Sequence, residues 1–165
     1  MRVLMRRRFA LGAALALVGC GFELKRPPAL GFSTIQLAGF APRSPLAAEL
    51  KTSIDASPTT HVVEAGQGAQ VVLQAINEAR EKVVVAQTAA NQIREFELRL
   101  RFDFRLRSAS GKDLIPESEI VLRRSLTYTE SAALAKEQEE AFLYRVMQSD
   151  IVSQVLRRLA SVRLL

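Results

Sequence analysis

The sequence predicts an α+β fold: two helices packed on one face of a four-stranded, mostly antiparallel mixed sheet, in the order β-α-β-β-β-α. Three observations carry this expectation. Between residues 95 and 107, apolar and charged side chains alternate without a break. From 132 to 162 neither Gly nor Pro occurs, and apolar residues recur at helical spacing. A short amphipathic segment at 45–55 lies between two strand-like stretches and can serve as the crossover between parallel strands, leaving the remaining strands to pair as antiparallel hairpins. Each dry strand face needs cover and each helix offers one apolar stripe, so placing both helices on one sheet face is the simplest arrangement.

Taken in order, Ser33 to Phe40 contains Ile35 and Leu37 and reads as a first strand, ended by Pro42. Ser44 is a plausible N-cap, with Pro45 at the first helical position. Leu46, Leu50 and Ile54 then recur every four residues over 45–55, and Ser57-Pro58 stops the helix. Val71, Leu73 and Ala75 share one parity and Val72, Gln74 and Ile76 the other, which reads as a strand running on to Val85. In the next segment Phe96, Leu98, Leu100, Phe102, Phe104 and Leu106 lie on one side. Glu95, Glu97, Arg99, Arg101, Asp103, Arg105 and Arg107 lie on the other, the mark of a strand with one dry and one wet face.

Ser108 to Lys112, with Gly111, is a hairpin turn, and Ile120, Leu122, Leu126 and Tyr128 form the return strand, with Arg124 breaking its pattern. Ser131 is the expected cap of the last helix, whose stripe is Leu143, Met147, Ile151, Val155 and Leu159. Glutamates early in this helix and Arg157, Arg158 and Arg163 late in it complement the helix dipole.

Ahead of this domain, residues 1–19 have the three parts of a secretory signal. Arg2 to Arg8 form a basic n-region, Phe9 to Val18 an apolar stretch, and Leu17-Val18-Gly19-Cys20 closes the segment. Ten apolar residues are too few to cross a hydrocarbon core of about 30 Å as a helix. Leu17-Val18-Gly19-Cys20 resembles the lipobox of bacterial lipoproteins, in which small residues enter a peptidase site and the thiol accepts a diacylglyceryl group. Cys20 is therefore the expected lipidation site and the new N-terminus. Two or more acyl chains, at about 0.8 kcal/mol per buried methylene, give stable anchoring. Gly21 follows Cys20, and the absence of Asp there favours the outer membrane, by resemblance to lipoproteins of bacteria with two membranes. Residues 20–31, with Pro27-Pro28, read as an extended tether, and 32–165 as a single domain.

Composition narrows the function. The formal charge is +6, but four of the 23 basic residues, Arg2, Arg6, Arg7 and Arg8, lie in the leader. The remaining 19 face 17 acids, a net of about +2, which makes nucleic acid a poor candidate partner. One cysteine and one histidine leave no disulfide framework and no His/Cys metal site. No catalytic constellation occurs. His61 falls in an expected loop with no Ser or Cys motif beside it, Gly66-Gln67-Gly68 is a turn, and Glu139-Glu140 reads as a solvated helix face. No cofactor motif is present either, so the expectation is a non-enzymatic binding or assembly protein, in preference to a lipid-anchored hydrolase. The wet face of the 94–107 strand is a solvated surface or, through its arginines, a contact for phosphorylated lipid headgroups.

Several short motifs, in order, resemble the lipopolysaccharide-assembly lipoprotein family LptE. They are Cys20-Gly21-Phe22-Glu23-Leu24-Lys25-Arg26, then Arg94-Glu95-Phe96-Glu97-Leu98, then Leu134-Ala135-Lys136 followed by Glu137 to Glu140, Leu143-Tyr144 and Met147. The resemblance implies an outer-membrane lipoprotein facing the periplasm that plugs and helps assemble the LptD β-barrel, binds lipopolysaccharide during its insertion into the outer leaflet, and is not an enzyme. It also implies two helices on a four-stranded sheet. It places one lipopolysaccharide-binding cation at Lys136. A second falls near Ala89-Ala90, which carry no charge, so Arg94 is the nearest substitute. The alternative expectation is a free-standing, periplasm-facing lipoprotein that binds a lipid or another ligand.

Overall fold

A computed structural model of the chain describes residues 29–163; the leader at 1–19, Cys20 and the tether up to Pro28 lie outside the described residues. The strands are β1 (Thr34–Ala38), β2 (His61–Val62), β3 (Val71–Gln87), β4 (Ile93–Ser108) and β5 (Asp113–Thr127). Helix α1 (Pro45–Asp55) lies between β1 and β2, and α2 (Ala133–Ala160) follows a 3₁₀ turn at Glu130–Ala132. The strands form one mixed sheet of order β2-β1-β3-β4-β5. β1 is parallel to both β2 and β3, with α1 in the crossover, while β3, β4 and β5 are antiparallel neighbours.

The architecture is the α+β arrangement read from the pattern, with one correction: the sheet has five strands, not four. The added strand is the two-residue β2, which pairs Thr34 with His61 and Ile35 with Val62. His61 thus sits on an edge strand and not in a loop. Two residues cannot display a period of two, so the pattern could not reveal it. β5 also begins earlier than Ile120. Its first half pairs with β4 through register irregularities between Phe104 and Arg107, which blur the alternation, and Pro116 is tolerated because β5 is an edge strand.

Single-parity burial carries the core. Leu98, Leu100, Phe102, Phe104 and Leu106 of β4 are buried together with Ile35, Val71, Leu73, Ile120 and Leu126. Leu46, Leu50 and Ile54 of α1, and Met147, Ile151, Val155 and Leu159 of α2, cover them within one continuous cluster. Phe102 stacks between Phe40 and Phe104, with ring centres 5.8 and 5.3 Å away. The Ser44 cap is formed: its Oγ accepts the Ala47 N–H at 3.1 Å. Ser131 does not cap α2. The 3₁₀ turn takes it up, and the cap position passes to Ala132, which has no side-chain acceptor. Leu30 and Gly31, the end of the expected tether, are held by the domain: Leu30 is buried and Gly31 bridges Arg163.

Arg124, the break in the return strand, pairs with Leu98 and so shares the helix-facing side of β5. There its guanidinium reaches Asp150 of α2 at 3.4 Å. The more consequential irregularity is in β3. Ala75 pairs with Phe104 and Asn77 with Asp103, so Ile76 is an extra residue, a β-bulge. Paired residues share a face, so beyond the bulge Glu78, Arg80 and Lys82 join Phe102, Leu100 and Leu98 on the helix side. Asn77, Ala79, Glu81 and Val83 turn outward.

Candidate functional site

The bulge divides the space between sheet and helices into a dry half and a polar half. In the polar half each inward charge of β3 meets a partner. The Ser44 hydroxyl donates to Glu78 Oε2 at 2.7 Å. Arg80 donates to Gln148 Oε1 at 3.0 Å and lies 5.3 Å from the Tyr144 ring centre. Gln148 in turn donates to Glu49 of α1 at 2.6 Å, tying both helices to this row. The Tyr144 hydroxyl donates to the Glu81 carbonyl at 2.7 Å. Burial, and then the nearby Glu140 charge, push the Tyr144 phenol above its ordinary range, with Arg80 partly opposing, so it stays a donor at neutral pH.

Lys82 is the last charge of the row and reaches the open end of the sandwich. Its ammonium lies 4.3 Å from the Phe96 ring centre and donates to Glu140 Oε2 at 2.6 Å. Lys136, near the start of α2, comes to the same place from the other side. Its ammonium donates to Thr127 Oγ1 at 3.0 Å and to Glu139 Oε2 at 2.8 Å, and only 20% of its side-chain surface is exposed. Between the lysines is a cleft of about 150 Å³ with Ile93, Phe96 and Tyr128 among its walls and Glu137 at its margin. Phe96 and Tyr128 meet edge to face at 5.4 Å, which makes a rigid aromatic floor.

Of the two cations singled out in the sequence, Lys136 lines this cleft and Arg94 does not. Arg94 lies in a neighbouring depression of about 330 Å³ with Gln92, Thr129, Glu130 and Ser131. Ile93 borders both hollows. The pairing register explains the separation: Ile93 pairs with Gln87 and Glu95 with Ala86, so Arg94 is the extra residue of a further bulge, beyond those at Ile76 and Val85. Lys82, which sequence reasoning did not single out, takes the place beside Lys136. Its parity is legible only once the bulge at Ile76 is known.

The outer sheet face, the wet side of β4, is a ladder of alternating charge. Arg99 pairs with Glu97 at 2.5 Å and Glu81 at 3.8 Å, Arg101 with Glu119 and Asp103, and Arg107 with Asp113 at 3.0 Å. Arg105 is held by Gln74 at 2.8 Å. These arginines are already matched across the strands, which favours the solvated-face reading. His61 is exposed on β2, and Glu139 and Glu140 each hold a lysine rather than forming an acid/base pair. Among the described residues no group of three His, Cys, Asp or Glu is placed to hold a metal, and no helix is long and apolar enough to cross a membrane.

Two helices on one mixed sheet, with a lysine-flanked, aromatic-floored cleft at one end, define an α+β sandwich domain. Residues 32–159 match the lipopolysaccharide-assembly family LptE, and the chain belongs to that family. Among solved structures, it is similar to lipoprotein B from Nitrosomonas europaea, at 31% identity and a TM-score of 0.71, covering 83% of this chain and 88% of that one. The rare lipoprotein B from Shewanella oneidensis shares the fold at 21% identity and a TM-score of 0.66, over 78% of this chain and 95% of that one. A minor lipoprotein from Acinetobacter baumannii shares it at 19% identity and a TM-score of 0.64, over 81% and 94%. No curated protein matches the chain in sequence.

Proposed function

We propose that this chain is an outer-membrane lipoprotein that binds lipopolysaccharide and acts in its assembly, as the plug of an LptD β-barrel that it also helps to assemble. Residues 1–19 are removed as a leader, Cys20 carries the lipid, and the segment from Cys20 tethers the domain, which takes in Leu30 and Gly31 of the expected 20–31 tether, to the periplasmic side of the membrane. The observation that carries the reading is the position of Lys136 in an LptE-family fold. A mostly covered ammonium flanks an aromatic cleft at the open end of the sandwich, where an anionic headgroup and an apolar chain can be met together. Arg94, the second cation expected from the sequence, lies in the adjoining hollow and outside this cleft. The domain works by binding and positioning, not by turnover.

Mild detergent extraction of outer membranes followed by affinity capture of the full chain tests the partnership, with a large β-barrel as the expected companion. A monomer that captures no barrel contradicts it. Lys136→Asp should weaken lipopolysaccharide binding while leaving the fold intact, and unchanged binding would reduce Lys136 to a surface residue. Cys20→Ala should leave an unprocessed or unanchored product, whereas normal outer-membrane fractionation of that variant removes the lipid anchor from the proposal.

A further inference from the structure

We infer that Lys82 and Lys136 form one seat for a dianionic phosphate group, filled in the free protein by the protein's own carboxylates. The inference rests on the proposed lipopolysaccharide reading and deepens it, because it makes Lys82 and not Arg94 the second cation of the site. The two ammoniums come from different layers, β3 of the sheet and the start of α2, and line the same cleft. Lys82 is fixed against Phe96, and Lys136 is fixed by Thr127 independently of its carboxylate partner.

Each lysine is neutralised by one glutamate of α2, Lys82 by Glu140 and Lys136 by Glu139. Glu139 is exposed and Glu140 partly covered, and a ligand can displace their carboxylates by side-chain rotation while Phe96 and Thr127 keep the lysines in place. Their presence decides the ligand class. A singly charged anion entering here replaces one carboxylate with another charge of the same size and gains little. A phosphate monoester carries about −1.5 to −2 at neutral pH and three acceptor oxygens, so it can accept from both ammoniums at once.

The same carboxylates, with Glu137 at the cleft margin, repel any anion that has charge alone to offer. That points to a phosphate borne on a lipid. Ile93 and Phe96 in the cleft, and Val84 on the same face of β3, which pairs with Phe96 and is 38% exposed, supply apolar contact that free phosphate cannot use. Arg94 is excluded by position, being in the other hollow beside Glu130.

The test is equilibrium binding of the full chain to lipopolysaccharide, to the same lipopolysaccharide after enzymatic dephosphorylation, and to inorganic phosphate. Lys82→Gln should weaken binding of intact lipopolysaccharide about tenfold, the scale of one charge-assisted hydrogen bond. Lys82→Arg should restore most of it, and Arg94→Gln should change it less than about twofold, as a screened surface charge would. Glu140→Gln should strengthen binding, and the gain should vanish in the Lys82→Gln background. Dephosphorylated lipopolysaccharide should not distinguish wild type from Lys82→Gln. Thermal melting of each variant, unchanged from wild type, separates lost binding from lost fold.

Wild-type affinity in Lys82→Gln, or an Arg94→Gln loss as large as the Lys82→Gln loss, overturns the seat. Displacement of the lipid by inorganic phosphate at equal concentration overturns its lipid-borne source. A wild-type chain that binds no lipopolysaccharide defeats the proposed function itself. A wild type that binds while Lys82→Gln is unaffected defeats only the seat.

Discussion

Ser44 joins three parts of the molecule, and its replacement measures the joint. It is buried at 6% exposure, caps α1 by accepting the Ala47 N–H, and donates to Glu78 beyond the bulge of β3. Ser44→Ala removes the cap, worth about 1 kcal/mol, and a hydrogen bond to a carboxylate, worth about 1.5–3 kcal/mol where the charge stays dry. Glu78 is half-buried and regains some water, so the expected loss is about 2–3 kcal/mol in urea denaturation. At about 2.1 cal/mol/K per residue for a domain of this length, that lowers Tm by about 7–10 °C. The discriminating variant is Ser44→Asp. Aspartate caps as well as serine, so a cap acting alone leaves stability within about 0.5 kcal/mol of wild type. A carboxylate set against Glu78 instead costs about 1–2 kcal/mol through like-charge repulsion. That loss should shrink in the Ser44→Asp/Glu78→Gln pair, and also toward acid, where one of the two carboxyls takes up a proton. Ser44→Asp matching wild type at neutral pH would refute the claim that Glu78 is part of the joint.

Met147 is fully buried where α2 meets the sheet, so Met147→Ala should cost about 2–5 kcal/mol by denaturation; a loss under about 1 kcal/mol would mean that the core there collapses without penalty. Gly39 has φ +76°, and a Cβ on it would lie 2.2 Å from the Ala75 carbonyl oxygen. Gly39→Ala should therefore cost about 2 kcal/mol or more, from backbone strain plus the clash, and a neutral result would show that β1 can move off the β3 bulge. Burial acts to raise the Asp55 pKa, but the Val62 N–H at 2.8 Å and the Lys51 ammonium at 2.9 Å outweigh it and hold the pKa below the ordinary value. A depressed folded pKa stabilises above the unfolded pKa of about 3.9 and loses that contribution as pH falls through the folded value. Asp55→Asn keeps an acceptor for Val62, so wild type should exceed it in stability near pH 6 and converge with it as pH falls through the lowered folded pKa of Asp55; a gap that does not narrow in acid would show that the charge contributes nothing.

The fold was legible wherever periodicity governs. Both helices follow from Leu46, Leu50 and Ile54 and from Met147, Ile151, Val155 and Leu159, and β4 follows from the alternation of Phe96 to Leu106. What escaped is what lacks a period. β2 is two residues long. Ser131 had the right chemistry for a cap, but a 3₁₀ turn displaced it, a choice made by backbone geometry that residue type does not encode. In the site, Lys136 was legible through family motifs. Lys82 carries no local signal, since one residue of slip decides whether it faces solvent or Phe96. Arg94 illustrates the reverse: as the nearest basic residue to the uncharged Ala89-Ala90 it stood in for the second cation implied by the family resemblance, and a bulge sets it in a different hollow.

The bulge at Ile76 therefore links stability to binding. In regular register from Ala75 onward, Asn77, Ala79, Glu81 and Val83 would face the helices, and Glu78, Arg80 and Lys82 would face solvent on the outer sheet surface. That surface already balances its charges through Arg99, Arg101, Glu97 and Asp103, so three more ions there could do little. Turned inward, Glu78, Arg80 and Lys82 meet Ser44, Gln148 and Glu140 in a partly dry gap, where each contact is stronger than in water but unpaired charges are costly. The dry half, from Val71 to Ala75 and from Leu98 to Leu106, supplies the burial that holds the sandwich closed. With closure secured there, the other end can keep two ammoniums beside half-buried aromatic rings, an arrangement that adds little to folding and is intelligible as the place for the proposed ligand.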